Sequence, residues 1–193
     1  MIVTNDKIVF GSKYADVHST TYLDNKDNEK EWTWVGRKKN TKAVMIIPIV
    51  ENGYKWINGR YEQQNQICVI KEFRVPINDY IWEFPAGLLD VENENIDDAI
   101  RRELKEETGL DLIRIYQVTP FTFNSPGITD ESIAMAFVGA TGKLSKEGLE
   151  SSEDIESFLM SQSEVITLLK TEKNFGAKAW LIMNQFTKTN HII

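Results

Sequence analysis

An α/β protein with a mixed sheet, preceded by a small β-sheet element at the N-terminus, is the fold that the sequence predicts. Three observations lead there. Apolar, β-branched runs such as "KAVMIIPIV" (42–50) and "ICVIKEFRVP" (67–76) read as buried strands. Helical patterns are interspersed among such runs, the strongest between Asn95 and Gly109. The first forty residues are polar and alternate enough for short strands, but carry no apolar run of core type. Residues 1–40 are therefore expected to form an N-terminal β element and residues 41–193 the main domain.

Within the N-terminal element, strands are expected around 8–10, 16–23 and 32–37. After the strand at 42–50, "ENGYKWINGRYEQQNQ" (51–66) carries two Asn-Gly signals and reads as an exposed hairpin or long loop. "YIWEFPAG" (80–87) reads as a strand that Pro85 terminates. The helix that follows has Asn95 or Asp97 as N-cap, acids in its first turn, Ala99, Ile100 and Leu104 as the inward stripe, and Gly109 as its stop. "LIRIYQVTPFTF" (112–123) and "ESIAMAFVGA" (131–140) read as strands flanking the loop "NSPGITDE". A Glu/Ser-rich stretch (145–157) leads through "SFLM" to two helical patterns, 162–171 and 176–187.

The chain has 193 residues and a hydrophobic content of 41 %, enough to bury a sizeable core. Its net charge of −7 argues against a duplex nucleic-acid partner, which requires a basic face. Small anionic substrates remain compatible, because a bound cation reverses the local field. The lone cysteine, Cys68, sits in an apolar run and reads as a buried structural thiol. No run approaches the ~20 apolar residues of a membrane span, and no signal-peptide pattern is present. A reducing, cytoplasmic setting is expected.

Chemistry concentrates in "RELKEETGL" (102–110). On a helix Glu103, Glu106 and Glu107 share one face, with neighbouring Cβ atoms ~5–6 Å apart. Uncompensated, such charges destabilise the helix. Carboxylate oxygens are also the hard ligands that Mg²⁺ or Mn²⁺ prefers. Arg102 can lock a glutamate through a bidentate pair. A solvated acidic face would show the same Glu-x-x-Glu-Glu spacing. The complete Arg-Glu-Leu-x-Glu-Glu-x-Gly-Leu string, entered from a strand-Pro-Ala-Gly turn, favours the metal site.

This string resembles the second half of the Nudix box, G-x5-E-x7-R-E-U-x-E-E-x-G-U, where U is apolar. Counting back from Arg102 puts the first box glutamate at Glu94. The box glycine corresponds to Gly87, so six residues separate the two where the family has five. That extra residue lies in the loop "LLDVEN", and a one-residue loop insertion is thermodynamically minor. It leaves Glu103, Glu106 and Glu107 in register with one another.

The resemblance extends over roughly residues 30–185 and is strongest to the ADP-ribose pyrophosphatase branch. It implies a Nudix-type α/β/α sandwich and a homodimer that exchanges N-terminal strands. "WEFPAGLLD" implies that the Ala86 carbonyl is a metal ligand beside Glu103, Glu106 and Glu107. "VIKEFRVP" implies that Arg74 contacts a diphosphate. Pro126 lies sixteen residues after Leu110, the branch's marker position. Around "TWVGR", Trp32 (with Trp34 as alternate) and Arg37 match the aromatic and arginine that hold the nucleotide. Glu131, in "SPGITDE", can accept hydrogen bonds from a terminal ribose, and an ordinary strand-entry residue would read the same. The general base in this branch lies on a later loop. Glu153 is its counterpart here, with Glu150, Asp154 and Glu156 as rivals.

The implied activity is metal-dependent hydrolysis of ADP-ribose to AMP and ribose 5-phosphate, with Glu107 and Arg102 supporting the reaction. Hydrolysis of another nucleoside diphosphate sugar such as GDP-mannose, or non-catalytic binding of one, are the alternatives.

Overall fold

The computed structural model describes residues 1–38, 42–57, 60–89 and 94–189, with backbone alone between 52 and 64. The first sheet is an antiparallel meander of β1 (Ile2–Gly11), β2 (Ala15–Leu23) and β3 (Glu29–Arg37). β2 matches its expected segment to within one residue, whereas β1 outruns its segment at both ends and β3 begins three residues early, because backbone pairing continues into polar residues there.

The second sheet begins with a long hairpin, β4 (Ala43–Ile57) and β5 (Arg60–Arg74), which takes in the segment expected as a hairpin or loop. Its Asn58-Gly59 turn lies outside the described residues. After a 3₁₀ turn at Val75–Ile77 come β6 (Asp79–Glu83), β7 (Ala86–Leu88) and helix α1 (Ile96–Thr108). The expected 80–87 strand is therefore two strands. Pro85 lacks an N–H and breaks the ladder, while its carbonyl accepts from Ile46 N–H at 2.7 Å. Likewise 112–123 divides at Pro120 into β8 (Asp111–Val118) and β9 (Thr122–Phe123). β10 (Ser132–Thr141), β11 (Ile155–Ser161), α2 (Gln162–Thr171) and α3 (Ala177–Thr189) complete the chain.

The strand order is β11-β5-β4-β10-β8, with β6 on β5, β7 on β4 and β9 on β10. Among the described strand pairs of this sheet only β10–β4 is parallel, so the sheet is mixed. From residue 43 to 49 β4 is buried on both faces, as a central strand must be when helices cover it from either side. Val44 and Ile46 pack with Cys68, Ala99, Ile100, Leu104 and Val138 beneath α1. Met45 and Ile47 pack with Val69, Phe84, Val165, Met183 and Phe186 beneath α2 and α3. The result is a three-layer α/β/α sandwich. Cys68 is fully buried, and burial pushes its thiol up to about 12.

Two connections set the surroundings of the site. Val35 N–H donates to Ile128 O at 2.8 Å, tying the first sheet to the loop before β10. Trp82 N–H donates to Asn174 O, and Gly176 N–H to Trp82 O, both at 3.0 Å. These bonds fix the start of α3 beside β6.

Candidate active site

Helix α1 begins where Asn95 accepts from Asp98 N–H and ends at Gly109, which adopts the left-handed conformation at φ 77°. Its caps fix the register that turns Glu103 and Glu107 toward the sheet. Both are buried, at 8 % and 5 % exposure, whereas Glu106 lies further out on the same face. Glu107 accepts from Ala86 N–H at 3.0 Å, so the turn between β6 and α1 sits directly against this carboxylate.

Gly87 is the second device of that turn. A Cβ there would lie 1.8 Å from Glu103 Cδ and Oε1. Only glycine lets the strand and the glutamate approach this closely.

Arg102 is the hub of the helix face. Its Nε and Nη2 donate to the two oxygens of Glu94 at 2.8 and 3.0 Å. Its Nη1 donates to Glu103 at 2.6 Å and to Glu106 at 3.1 Å. Glu94 thus meets the site through Arg102, whose guanidinium holds that carboxyl below its usual range. The middle of the loop carrying the extra residue, 90–93, lies outside the described residues.

The electrostatics are those of a crowded carboxylate cluster. Burial raises Glu107 well above the ordinary range, and Glu103, Glu72 and Glu153 push it further. Burial also raises Glu103, despite the opposing effect of Arg102. Glu72, on β5, is pushed up to about 7, mainly by burial, with Arg74 opposing and Glu83 and Glu153 adding to the rise. Among the described residues, no three acidic, histidine or cysteine side chains converge as a ready metal cage. The donor set nevertheless fits a hard divalent cation. Two buried carboxylates beside a strand turn repel each other, and a cation would relieve that repulsion.

Of the four acids in "ESSEDIES", Glu153 is the one whose charge acts on Glu72, Glu103 and Glu107. Its own carboxylate accepts from Glu150 N–H at 2.9 Å. Asp154 is bonded to the Tyr80 hydroxyl, and the charge of Glu156 acts on that same tyrosine.

A cavity of about 510 Å³ opens beside the cluster. Ala86, Gly87 and Leu88 line one part of it, Arg74 and Glu83 another, and Arg37, Asn124, Glu131 and Lys178 a third. Arg74 is gripped from two sides. Its Nε and Nη2 donate to Glu83 at 2.8 and 2.7 Å, and its Nη1 to Glu72 at 2.8 Å. Arg37 donates to Glu131 at 2.5 Å, and Asn124 Nδ2 donates to the other Glu131 oxygen at 2.6 Å. Burial works against the Glu131 charge, but these bonds and the nearby Lys178 leave its carboxyl below the usual range.

The structure therefore brings Ala86, Arg74, Arg37 and Glu131 to one cavity, with Glu103 and Glu107 adjoining. Trp32 is not part of that lining. It is half exposed, donates from its indole N–H to Gly127 O at 3.1 Å, and lines a separate groove with Trp34, Phe123 and Pro126.

Sequence reasoning missed Glu72, Glu83, Asn124 and Lys178. Glu72 had a local signal, because on a strand it shares a face with Arg74 two residues on. The others reach the cavity only through tertiary contacts.

Residues 57–181 match the model of the NUDIX domain. "Putative nudix hydrolase 2" of Caenorhabditis elegans is 30 % identical over 84 % of this chain and 73 % of its own length. The "ADP-ribose pyrophosphatase" of Saccharomyces cerevisiae is 32 % identical over 76 % of this chain, and the match spans 63 % of the yeast protein's length. Among solved structures, one titled "Crystal structure of ADP compounds hydrolase" superposes with a TM-score of 0.70 over 99 % of this chain and 96 % of that one. At 18 % identity that likeness speaks for the fold alone.

Proposed function

The chain belongs to the Nudix family, and from that premise we propose that it hydrolyses the diphosphate linkage of ADP-ribose, giving AMP and ribose 5-phosphate, with Mg²⁺ or Mn²⁺ as its cation. A Nudix pyrophosphohydrolase acting on ADP-ribose or a related ADP-sugar is the coarser form of this reading. The observation that carries it is the pair of buried carboxylates, Glu103 and Glu107, set against the Ala86 turn and bordering a cavity lined by two arginines.

In this reading Glu103, Glu106, Glu107 and the Ala86 carbonyl hold the metal. When bound, a divalent cation neutralises phosphate oxygens and lowers the pKa of an attacking water. The chain's own residues do the rest. Arg102 fixes the orientation of Glu103 and Glu106 through its three-carboxylate grip. Glu153 takes the proton of the attacking water, because among the loop acids its charge is felt by the cluster. Arg74 turns its two remaining N–H groups to the diphosphate, with its plane set by Glu72 and Glu83. Glu131, oriented by Arg37 and Asn124, accepts from the terminal ribose.

Two further elements belong to the same proposal. Residues 1–40 form a dimerising element on a hydrolase domain of residues 41–193. Support comes from β1, which is exposed along its whole length and presents Ile2, Val3, Ile8, Val9 and Phe10 to solvent. A homodimer would cover that surface and bring Trp32 of one subunit toward its neighbour's cavity, where its ring would stack on the adenine. A cytoplasmic location accords with a single, buried, free cysteine.

The test is a hydrolysis panel with Mg²⁺ or Mn²⁺, comparing ADP-ribose, GDP-mannose, diadenosine polyphosphates and 8-oxo-dGTP by kcat/KM with products identified. ADP-ribose is expected to be cleaved best, to AMP and ribose 5-phosphate. Faster cleavage of GDP-mannose would reassign the substrate, and no cleavage of any compound would leave a binding module.

A further inference from the structure

The arginines at this site spend their charge on carboxylates. Arg102 serves Glu94, Glu103 and Glu106; Arg74 serves Glu72 and Glu83; Arg37 serves Glu131. Each keeps directional N–H groups, but none adds much net positive field for an anion. Arg74 with its two glutamates is at best neutral, and only when Glu72 carries its proton.

Lys178 is different. It lines the same cavity, is half-buried, and has no carboxylate at salt-bridge distance among the described residues. Its charge acts on Glu131, which places the ammonium on the Arg37–Glu131–Asn124 side. Asn124, whose side-chain oxygen is buried with no hydrogen-bond partner among the described residues, lines the same cavity. Lys178 also sits in the first turn of α3, where the helix dipole adds to its sign. The bonds of Trp82 to Asn174 and Gly176 anchor that turn, so the ammonium projects from a fixed backbone.

We propose that Lys178 is a further substrate-binding residue that holds the sugar-linked phosphate, the phosphate that leaves as the sugar phosphate. The inference rests on the hydrolase reading above, and specifically on Glu131 marking the sugar end of the cavity. A half-buried ammonium with no carboxylate at salt-bridge distance among the described residues keeps donors for an anion, and a phosphate oxygen is its natural complement.

The experiment measures binding of ribose 5-phosphate and of AMP to the full chain by calorimetry, alongside ADP-ribose kinetics, for wild type, Lys178→Gln, Lys178→Arg and the exposed control Lys173→Gln. Lys178→Gln is expected to weaken ribose 5-phosphate roughly tenfold or more, the worth of one charge-assisted hydrogen bond. AMP affinity should change less than about twofold, and KM for ADP-ribose should rise more than kcat falls. Lys178→Arg should recover most of the affinity, and Lys173→Gln should match wild type. Unchanged ribose 5-phosphate binding in Lys178→Gln overturns the inference, as does an equal loss for AMP. If the wild type cleaves no nucleotide sugar, the hydrolase reading fails, but selective loss of sugar-phosphate binding would still identify the subsite.

Discussion

Gly87→Ala isolates the close approach on which the proposed metal site depends. The new Cβ would stand 1.8 Å from Glu103 Cδ and Oε1 and 2.4 Å from Cγ, where real Cβ contacts do not fall below 3.0 Å. The carboxyl must therefore shift by more than about 1 Å. Glu103 is buried and bonded to Arg102 at 2.6 Å, so it has no free rotamer that keeps both its place and its partner. A misplacement of ~1 Å costs on the order of 100-fold in turnover, or about 2.7 kcal/mol of transition-state stabilisation. Overpacking costs at most about 1–3 kcal/mol of stability, and Gly87 is not in a left-handed conformation, so alanine adds no backbone strain. The assay is steady-state hydrolysis of ADP-ribose with saturating Mg²⁺, with circular dichroism and a thermal melt as fold controls. Gly87→Ala and Glu103→Gln should each lose about two orders of magnitude in kcat, and the double variant should be little worse than either, because both disable one ligand. Turnover of Gly87→Ala within about threefold of wild type would refute the reasoning, and so would losses that multiply.

Glu107→Gln should lower turnover by a factor of about 100 or more with the fold intact; near-normal turnover would remove Glu107 from the metal site. Glu153→Gln should reduce kcat far more than it weakens substrate binding, and if Glu156→Gln does so instead, the base is three residues further on. Arg74→Lys should cost about 1–3 kcal/mol in kcat/KM, because a lysine cannot bridge Glu72, Glu83 and the diphosphate at once. The metal-free protein should lose stability as pH rises from about 5 to 8. Glu72 titrates near 7 when folded and near 4.5 when unfolded, so in that window the folded chain keeps a proton the unfolded chain has lost. Urea denaturation in a chelator should show Glu72→Gln flattening this slope by roughly 1–2 kcal/mol, after allowance for solvent screening. An unchanged slope would mean Glu72 ionises normally.

Local periodicity carried the fold a long way. β4 and β5 were legible because strands buried on both faces are nearly continuous apolar runs, and α1 was legible from its caps and three-residue inward stripe. Two of the misses trace to a proline. Pro85 and Pro120 each interrupt an apolar run without changing its hydrophobicity, so one expected strand became two. β1 was read short because most of it faces solvent, and pairing alone defines its length.

The site divides along the same line. Glu103, Glu106, Glu107 and Arg102 occupy one helix, so helical spacing alone brings them together. The cavity is assembled from β3, β4, β5, β6, β7, β10, the loop before β10 and the start of α3. Lys178 and Asn124 lie fifty-four residues apart in the chain and have no local pattern that could join them. The extra loop residue before Glu94 shows why the helix half is the more robust. Arg102 reaches Glu94 with both oxygens bonded, so the box is closed by a flexible guanidinium and not by the loop backbone. A longer loop costs only a small increment of closure entropy, whereas moving Glu103 by one residue would turn its carboxylate about 100° around the helix. Length variation is therefore tolerated between Gly87 and Glu94 and excluded between Arg102 and Glu107.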